Sequence, residues 1–395
     1  LWFDIGLISI GVILIYLLII FPITKILKNR KNKKINNSLK KAQELSKKDA
    51  KNEIIQYENG DKYKGGLLEY RPHGKGTYYY KNGDIYKGEF KNGERHGLGT
   101  CLFQNKDKYI GLWKDDKMDG IGKYIYLNGT IYDGDFRDGK MQGLATYKYI
   151  NKDMYKGRFV NGKKQGMGTF TSSKGNKYIG QWYNDLQSGN GKYIYTNGSK
   201  YEGEFKEGKR NGLGTFTNLN KETYTGYWKD NVPHGKGVYI YSNGDKYDGE
   251  FGYGYRKGNG TLICSNGDKY QGQWKNSVPH GDGMYIYSNK EQYNGEFKDG
   301  KKHGIGTFIS KGNYKYVGNW LYDFKCDDGV YLFDDESRLE VTIKNLVIEQ
   351  GKYYEKDSKE FRHINNLNIC QNEMKVIKNI KKYISKKDLK PLVYQ

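Results

Sequence analysis

Five of the six histidines recur at one spacing: His73, His96, His234, His280 and His303. A histidine column is the first place to look for a metal or for acid–base chemistry. Elsewhere the same position holds Asp119, Gln142, Gln165, Ser188, Asn211 or Lys257. A metal needs its ligands to converge at about 2 Å from one ion. If successive positions lie two strands apart, they are separated by about 10 Å and cannot share one. They read as turn residues making local hydrogen bonds. Cys101, Cys264, Cys326 and Cys370 are scattered, with no Cys-x-x-Cys spacing, so neither a zinc site nor a disulfide framework is legible. The recurring Gly-x-Gly pairs are not followed by a helix start, and no Gly-x4-Gly-Lys-Ser/Thr is present, so no phosphate loop is read. No catalytic residue, cofactor site or metal site is assigned, and the chain is expected not to be an enzyme.

What positions these residues is a period. Tyr63, Tyr86, Tyr109 and so on through Tyr178, Tyr224 and Tyr270 to Tyr316 recur every 23 residues, twelve in all. A glycine follows each by two residues, and an aromatic follows by four, except Leu67. Gly74/Gly76, Gly97/Gly99 and their equivalents keep the same phase, with Ala145 replacing one glycine. Alternation puts Tyr86, Gly88 and Phe90 on one face of a strand and Lys87 and Glu89 on the other. Glycines without side chains leave room for rings to lie across them. The spacing predicts two strands and two turns per unit. Asn82-Gly83, Asn128-Gly129, Asn197-Gly198, Asn243-Gly244 and Asn266-Gly267 suit tight hairpin turns. A longer period overlies this one. Trp113, Trp182, Trp228, Trp274 and Trp320 take the aromatic position, and from Trp182 onward they recur every 46 residues. The structural unit is then a pair of hairpins, with Phe136 and Phe159 breaking the alternation.

This pattern resembles the MORN repeat family. Tyr224-Thr-Gly226-Tyr-Trp228 followed by His234-Gly235-Lys-Gly237 shows most of its motif, and Tyr86 to Gly99 fits with Phe90 for Trp. The resemblance implies an all-β, single-layer antiparallel meander over residues 57–333, extended rather than closed into a barrel. Each unit buries its aromatics on its neighbours, as in other repeat arrays.

The flanks differ from the array. Ile5 to Thr24 carries no charge. As a helix it reaches about 30 Å, the hydrocarbon thickness of a bilayer. Residues 1–27 are therefore expected to form a transmembrane helix. Lys25, Lys28, Arg30, Lys31, Lys33 and Lys34 follow it, which places the bulk of the chain on the cytoplasmic side. Residues 28–56 read as a basic juxtamembrane helix or linker that can also touch anionic headgroups. In 334–395, Arg338 to Gln350 alternates like a terminal strand through Leu339, Val341 and Ile343. Glu373 to Lys387 has helical spacing, with Val376, Ile377, Ile380, Tyr383 and Ile384 on one face and Lys375, Lys378, Lys381 and Lys382 beside it. That segment is either a cap on the last hairpins or a basic helix lying on a membrane.

The chain has 395 residues with 53 Gly, 39 Tyr and a net charge of +22, a composition of strands and turns drawn to acidic partners. The tyrosines hold structural positions, so packing explains them better than nucleic-acid stacking, and no nucleic-acid partner is expected. The expected role is a membrane-anchored scaffold or tether that binds proteins, itself and acidic phospholipids. The alternative is the regulatory region of a larger enzyme, such as a phosphoinositide kinase, with its catalytic domain outside this chain.

Overall fold

The computed structural model describes residues 54–368, apart from residue 313. The expected transmembrane span, nearly all of the basic linker, and the segment from Glu373 to Lys387 lie outside these residues. Every regular element among the described residues is a strand, and within each of the two units successive strands pair antiparallel, as Lys163–Thr171 does with Lys177–Tyr183 and Lys200–Lys206 with Lys209–Thr217. Two units are distinguished, Leu1–Gly189 and Asn190–Gln395, with the division inside the strand Leu186–Ile194. Each unit is a meander of hairpins built on the same local rules.

One hairpin shows those rules. Ile85–Lys91 (7 residues) turns back through two residues into Glu94–Leu102 (9 residues). The tight turn, Asn92-Gly93, has φ of 51° and 97°. Both positions must be left-handed in a two-residue hairpin turn, which favours Asn, Asp and Gly. The connection that enters this hairpin from the preceding one is wider. There Gly83 N–H donates to Tyr80 O at 2.9 Å, and Tyr80 N–H donates to Asp84 O at 2.9 Å. Gly83 takes φ of 95° while Asn82 keeps an ordinary φ. The Asn-Gly pairs expected in tight turns therefore sit in these three-residue loops, where only the glycine needs the left-handed conformation.

The core is a ladder of tyrosines. Gly88 pairs directly with Gly99, and Tyr86 with Cys101. The Tyr86 ring lies across both glycines, and its hydroxyl donates to Glu89 O at 2.9 Å. A Cβ at Gly99 would collide with that ring. Tyr86 is fully buried, as are its counterparts from Tyr63 to Tyr316. Aromatic edges clamp it from both sides: Phe90 of its own hairpin at 5.0 Å and 85°, and Trp113 of the next at 5.2 Å and 81°. In the second unit Tyr224 is held the same way between Trp228 at 5.1 Å and Phe251 at 5.0 Å. Edge-to-face packing of this kind adds about 0.5–1.5 kcal/mol per pair beyond the area it buries. The twelfth hairpin keeps the pattern, with Gly318 opposite Gly329 and Tyr316 opposite Tyr331.

The strands then continue past the expected end of the array. Residues 338–350 are not one terminal strand. They form Arg338–Lys344, a turn at Asn345-Leu346 with φ of 48° and 64°, and the start of Val347–Tyr354. A last strand, Phe361–Asn368, pairs with Val347–Tyr354. Leu339, Val341 and Ile343 are buried, as their alternation predicts. Leu339 stands 23 residues after Tyr316 and takes the tyrosine's place, while Val341 takes the glycine's. This is a thirteenth hairpin in aliphatic form. It escaped the motif because it has no ring to rest on a glycine.

Gly99→Ala is expected to crowd the Tyr86 ring and to cost about 1–3 kcal/mol, the usual range for overpacking. Thermal unfolding of the full chain reads this as a lowered first transition. A melt unchanged from wild type would show that the ring is not confined there.

Candidate functional site

The ring face uses its cations internally. Arg95 lies over the Trp113 ring at 4.2 Å, Arg210 over Trp228 at 4.3 Å and Arg256 over Trp274 at 4.2 Å. Lys164 lies over Trp182 at 4.8 Å and Lys302 over Trp320 at 4.7 Å. In each case a hairpin with phenylalanine supplies the cation, and the following hairpin supplies the indole. The guanidiniums also reach the next tight turn: Arg95 Nη2 donates to Asp116 O at 2.7 Å and Arg256 Nη2 to Ser277 O at 2.7 Å. The indole N–H of Trp228 donates to Gly214 O, and that of Trp274 to Gly260 O, both at 3.0 Å. Burial pushes the Lys164 ammonium below its ordinary pKa, and its Nζ contacts Tyr149 Oη at 3.0 Å. These contacts explain the 46-residue period. Sequence reading saw the tryptophans and missed the cations, although a basic residue stands 18 positions before each of these five tryptophans.

At the wide connections, carboxylates tie one repeat to the next. Asp107 Oδ1 accepts from Leu127 N–H at 2.8 Å, and its Oδ2 accepts from Tyr124 Oη at 2.9 Å. Asp268 does the same with Ser288 N–H at 2.7 Å and Tyr285 Oη at 2.9 Å. Asp153 and Asp245 accept from the N–H groups of Ser173 and Ser265. Those backbone donors hold the carboxyls of Asp153, Asp245 and Asp268 below the ordinary aspartate range.

The histidines lie on strands and face the following hairpin's tight turn. His73 Nδ1 is 3.5 Å from Asn92 N, and His96 and His280 stand 3.8 Å from Asp115 and Asp299. Gln142, in the same column, accepts from Asn161 N–H at 2.9 Å. The column therefore stitches repeats together, where local turn bonds were expected. Among the described residues no group of His, Cys, Asp and Glu is placed to hold a metal ion. Burial pushes the thiols of Cys101 and Cys326 up to about 11, so both stay protonated and weakly nucleophilic at neutral pH.

The tyrosines and tryptophans read as the repeat framework are thus brought together as the ring face. The membrane-surface lysines read from sequence, Lys25 to Lys34 and Lys375 to Lys382, lie outside the described residues. The face left for partners is the outer one. Along its tight-turn rim, like charges face each other directly: Lys114 opposite Lys117, Arg137 opposite Lys140, and in the second unit Lys206 opposite Lys209 and Lys298 opposite Lys301. Like charges in register are unfavourable by a few tenths of a kcal/mol to about 1 kcal/mol each. Turn aspartates relieve part of this, as in Lys117–Asp138 at 3.3 Å and Lys209–Asp230 at 3.1 Å.

A family model described as the MORN repeat matches eleven stretches of the chain: 63–85, 86–108, 109–131, 132–154, 155–177, 178–200, 201–218, 224–246, 247–269, 270–292 and 293–313. Comparison with curated proteins finds no match. Similar solved structures include the TCP10 domain of Danio rerio CPAP in complex with a peptide of Danio rerio STIL. It is 10% identical, over 65% of this chain and 93% of that one, with a TM-score of 0.25. The TCP domain of Drosophila melanogaster SAS-4, in complex with a proline-rich motif of Ana2, is 14% identical over 45% and 85%, with a TM-score of 0.22. A streptogramin B lyase is 14% identical over 73% and 89%, with a TM-score of 0.13. Likenesses of this size say nothing of function.

Removing a cation from the ring face, as in Arg256→Met, is expected to lower stability by about 1–2 kcal/mol, the range for a desolvated cation–π contact. Lys246→Met, at an exposed site, should leave thermal unfolding unchanged. Acid acts on the connections. Carboxyls whose pKa is lower in the fold stabilise it above the unfolded range, about pH 4, and lose that contribution as pH falls through the folded values. The midpoint of thermal unfolding should therefore drop steeply below about pH 4. Asp268→Asn should lower it at neutral pH and flatten the acid limb.

Proposed function

The chain belongs to the MORN-repeat family, and from that premise we propose that it is a non-catalytic, membrane-anchored scaffold. Its array presents the outer face to protein partners on the cytoplasmic side. One observation carries this reading: the repeating side chains with chemical potential are consumed by the fold itself. Tyrosine hydroxyls bond backbone carbonyls, as in Tyr224 to Tyr227 O at 2.8 Å. The ring-face cations cover indoles, and the aspartates of the connections cap backbone N–H groups. What remains outward is a regular, charged sheet surface, suited to docking over a length of several repeats.

Attachment to the membrane comes from residues 1–27, with Lys25, Lys28, Arg30, Lys31, Lys33 and Lys34 beside the headgroups. Lys375, Lys378, Lys381 and Lys382 supply a second contact with acidic phospholipid. A basic residue near an anionic surface adds about 1 kcal/mol, so each cluster is sufficient for measurable binding.

Two measurements test this. Cells expressing the full chain should retain it in the membrane pellet after alkaline carbonate extraction, and removal of residues 1–27 should release it. Release of the intact chain would refute the anchor. Residues 28–395 should float with vesicles containing phosphatidylserine and not with neutral vesicles. Lys375→Glu combined with Lys378→Glu, Lys381→Glu and Lys382→Glu should weaken that flotation. Equal flotation with neutral vesicles would count against the lipid contact.

A further inference from the structure

The outer face of the first unit carries an apolar line that the second does not continue. Leu98, Ile121, Leu144 and Met167 stand at the middle of the Gly-x-Gly position of four successive repeats, with Ala145 for the second glycine after Leu144, and Leu112 lies directly opposite Leu98. Leu112, Leu144 and Met167 are exposed. In the second unit this column reads Asn190, Leu213, Lys236, Asn259, Asp282 and Ile305, so its two apolar members stand apart, with polar groups between them. A sheet face with an apolar row is stable only when something packs on it.

The spacing identifies the kind of occupant. Ile121, Leu144 and Met167 are each two strands apart, about 9.6 Å. Seven residues of helix rise about 10.5 Å. From Leu98 to Met167 the line crosses six strand spacings, about 29 Å, the length of about 19 helical residues. Basic side chains flank it on both sides: Lys114, Arg137 and Lys140 toward the tight turns, and Lys123, Lys148 and Lys156 toward the wide connections. Two acids lie beside the line. Asp133 pairs with Lys123 at 3.2 Å, and Asp135 lies against Gly143.

We infer that this line is the docking site for an amphipathic helix of a protein partner, with apolar residues at seven-residue spacing and acidic residues along both flanks. The inference rests on the scaffold reading and specifies the partner. A bilayer fits less well, because the line is one residue wide and a bilayer presents a broad apolar surface. The chain's own segment from Glu373 to Lys387 carries the wrong charge for lysine-lined flanks.

The test uses a labelled synthetic peptide of about 19 residues, with leucines at seven-residue spacing and glutamates on both flanks, titrated against the full chain by anisotropy. A lysine-flanked version and phosphatidylserine vesicles serve as the other arms. The glutamate peptide should bind and the lysine peptide should not. Leu144→Ser combined with Met167→Ser should weaken binding by about tenfold or more, the loss expected when two anchors are removed. Leu213→Ser should leave it unchanged. Both variants alter exposed residues, so unfolding midpoints should match wild type. The double variant should still stay in the carbonate pellet, which separates failure at this face from failure of the anchored-scaffold reading. Binding of neither peptide, equal binding of both, or an unaffected double variant would overturn the inference. Vesicle binding that depends on Leu144 and Met167 in place of peptide binding would reassign the face to a bilayer.

Discussion

The whole array depends on one contact: a tyrosine ring lying flat across two glycines paired between strands. The ring lies this close because the glycines have no Cβ, and its hydroxyl ends on a backbone carbonyl of the same hairpin. That contact fixes three things at once. It sets the register of the hairpin, since a slip by one residue would place a side chain under the ring. It keeps the backbones close, and it turns the ring edges toward the aromatics before and after it. Among the described residues a layer of large side chains is thus buried with no second sheet or helix over it. Ala145 is the informative departure. It stays in register opposite Gly134 and is buried, and the Tyr132 hydroxyl still reaches Asp135 O at 2.6 Å.

The alternation of phenylalanine and tryptophan hairpins is a second layer of order over the first. A phenylalanine hairpin carries the cation, and a tryptophan hairpin receives it on its indole face. The tryptophan's own partner strand offers proline at two places, Trp228 pairing with Pro233 and Trp274 with Pro279, while Trp320 pairs with Lys325. Proline can stand there because the bulge beside the glycine has already interrupted the ladder, and a missing N–H is tolerated at such a position. Reactive groups are thereby converted into packing elements.

The sequence made much of this legible. A period of 23 residues, with tyrosine and glycine two apart, led directly to hairpins and to the side of each strand that is buried. Three features stayed hidden for physical reasons. The thirteenth hairpin satisfies the same geometry with Leu339, Val341 and Ile343, so it has no aromatic signature. The cations over tryptophan lie in a different repeat from their partners, and a motif read within one repeat cannot pair them. The Asn-Gly pairs misled because the dipeptide fits two kinds of turn. Only the count of residues between strands separates a two-residue turn from a three-residue loop. The lysine clusters assigned to the membrane fall outside the described residues, and the outer face emerged only when side-chain direction was known.

The pairing of hairpins also constrains how such a gene can lengthen or shorten. Gain or loss of one 23-residue segment keeps the tyrosine ladder intact but breaks the alternation of cation and indole. Gain or loss of 46 residues preserves both. The stretch from Trp113 to Trp182 departs from the alternation by one 23-residue segment. Two phenylalanine hairpins follow one another there, and methionine fills the cation's place at Met118 and Met141. A pliable thioether suits a junction where two phases of a repeat meet. Recombination in pairs is thus the route of least repair for this architecture, and methionine marks where the alternation lapses.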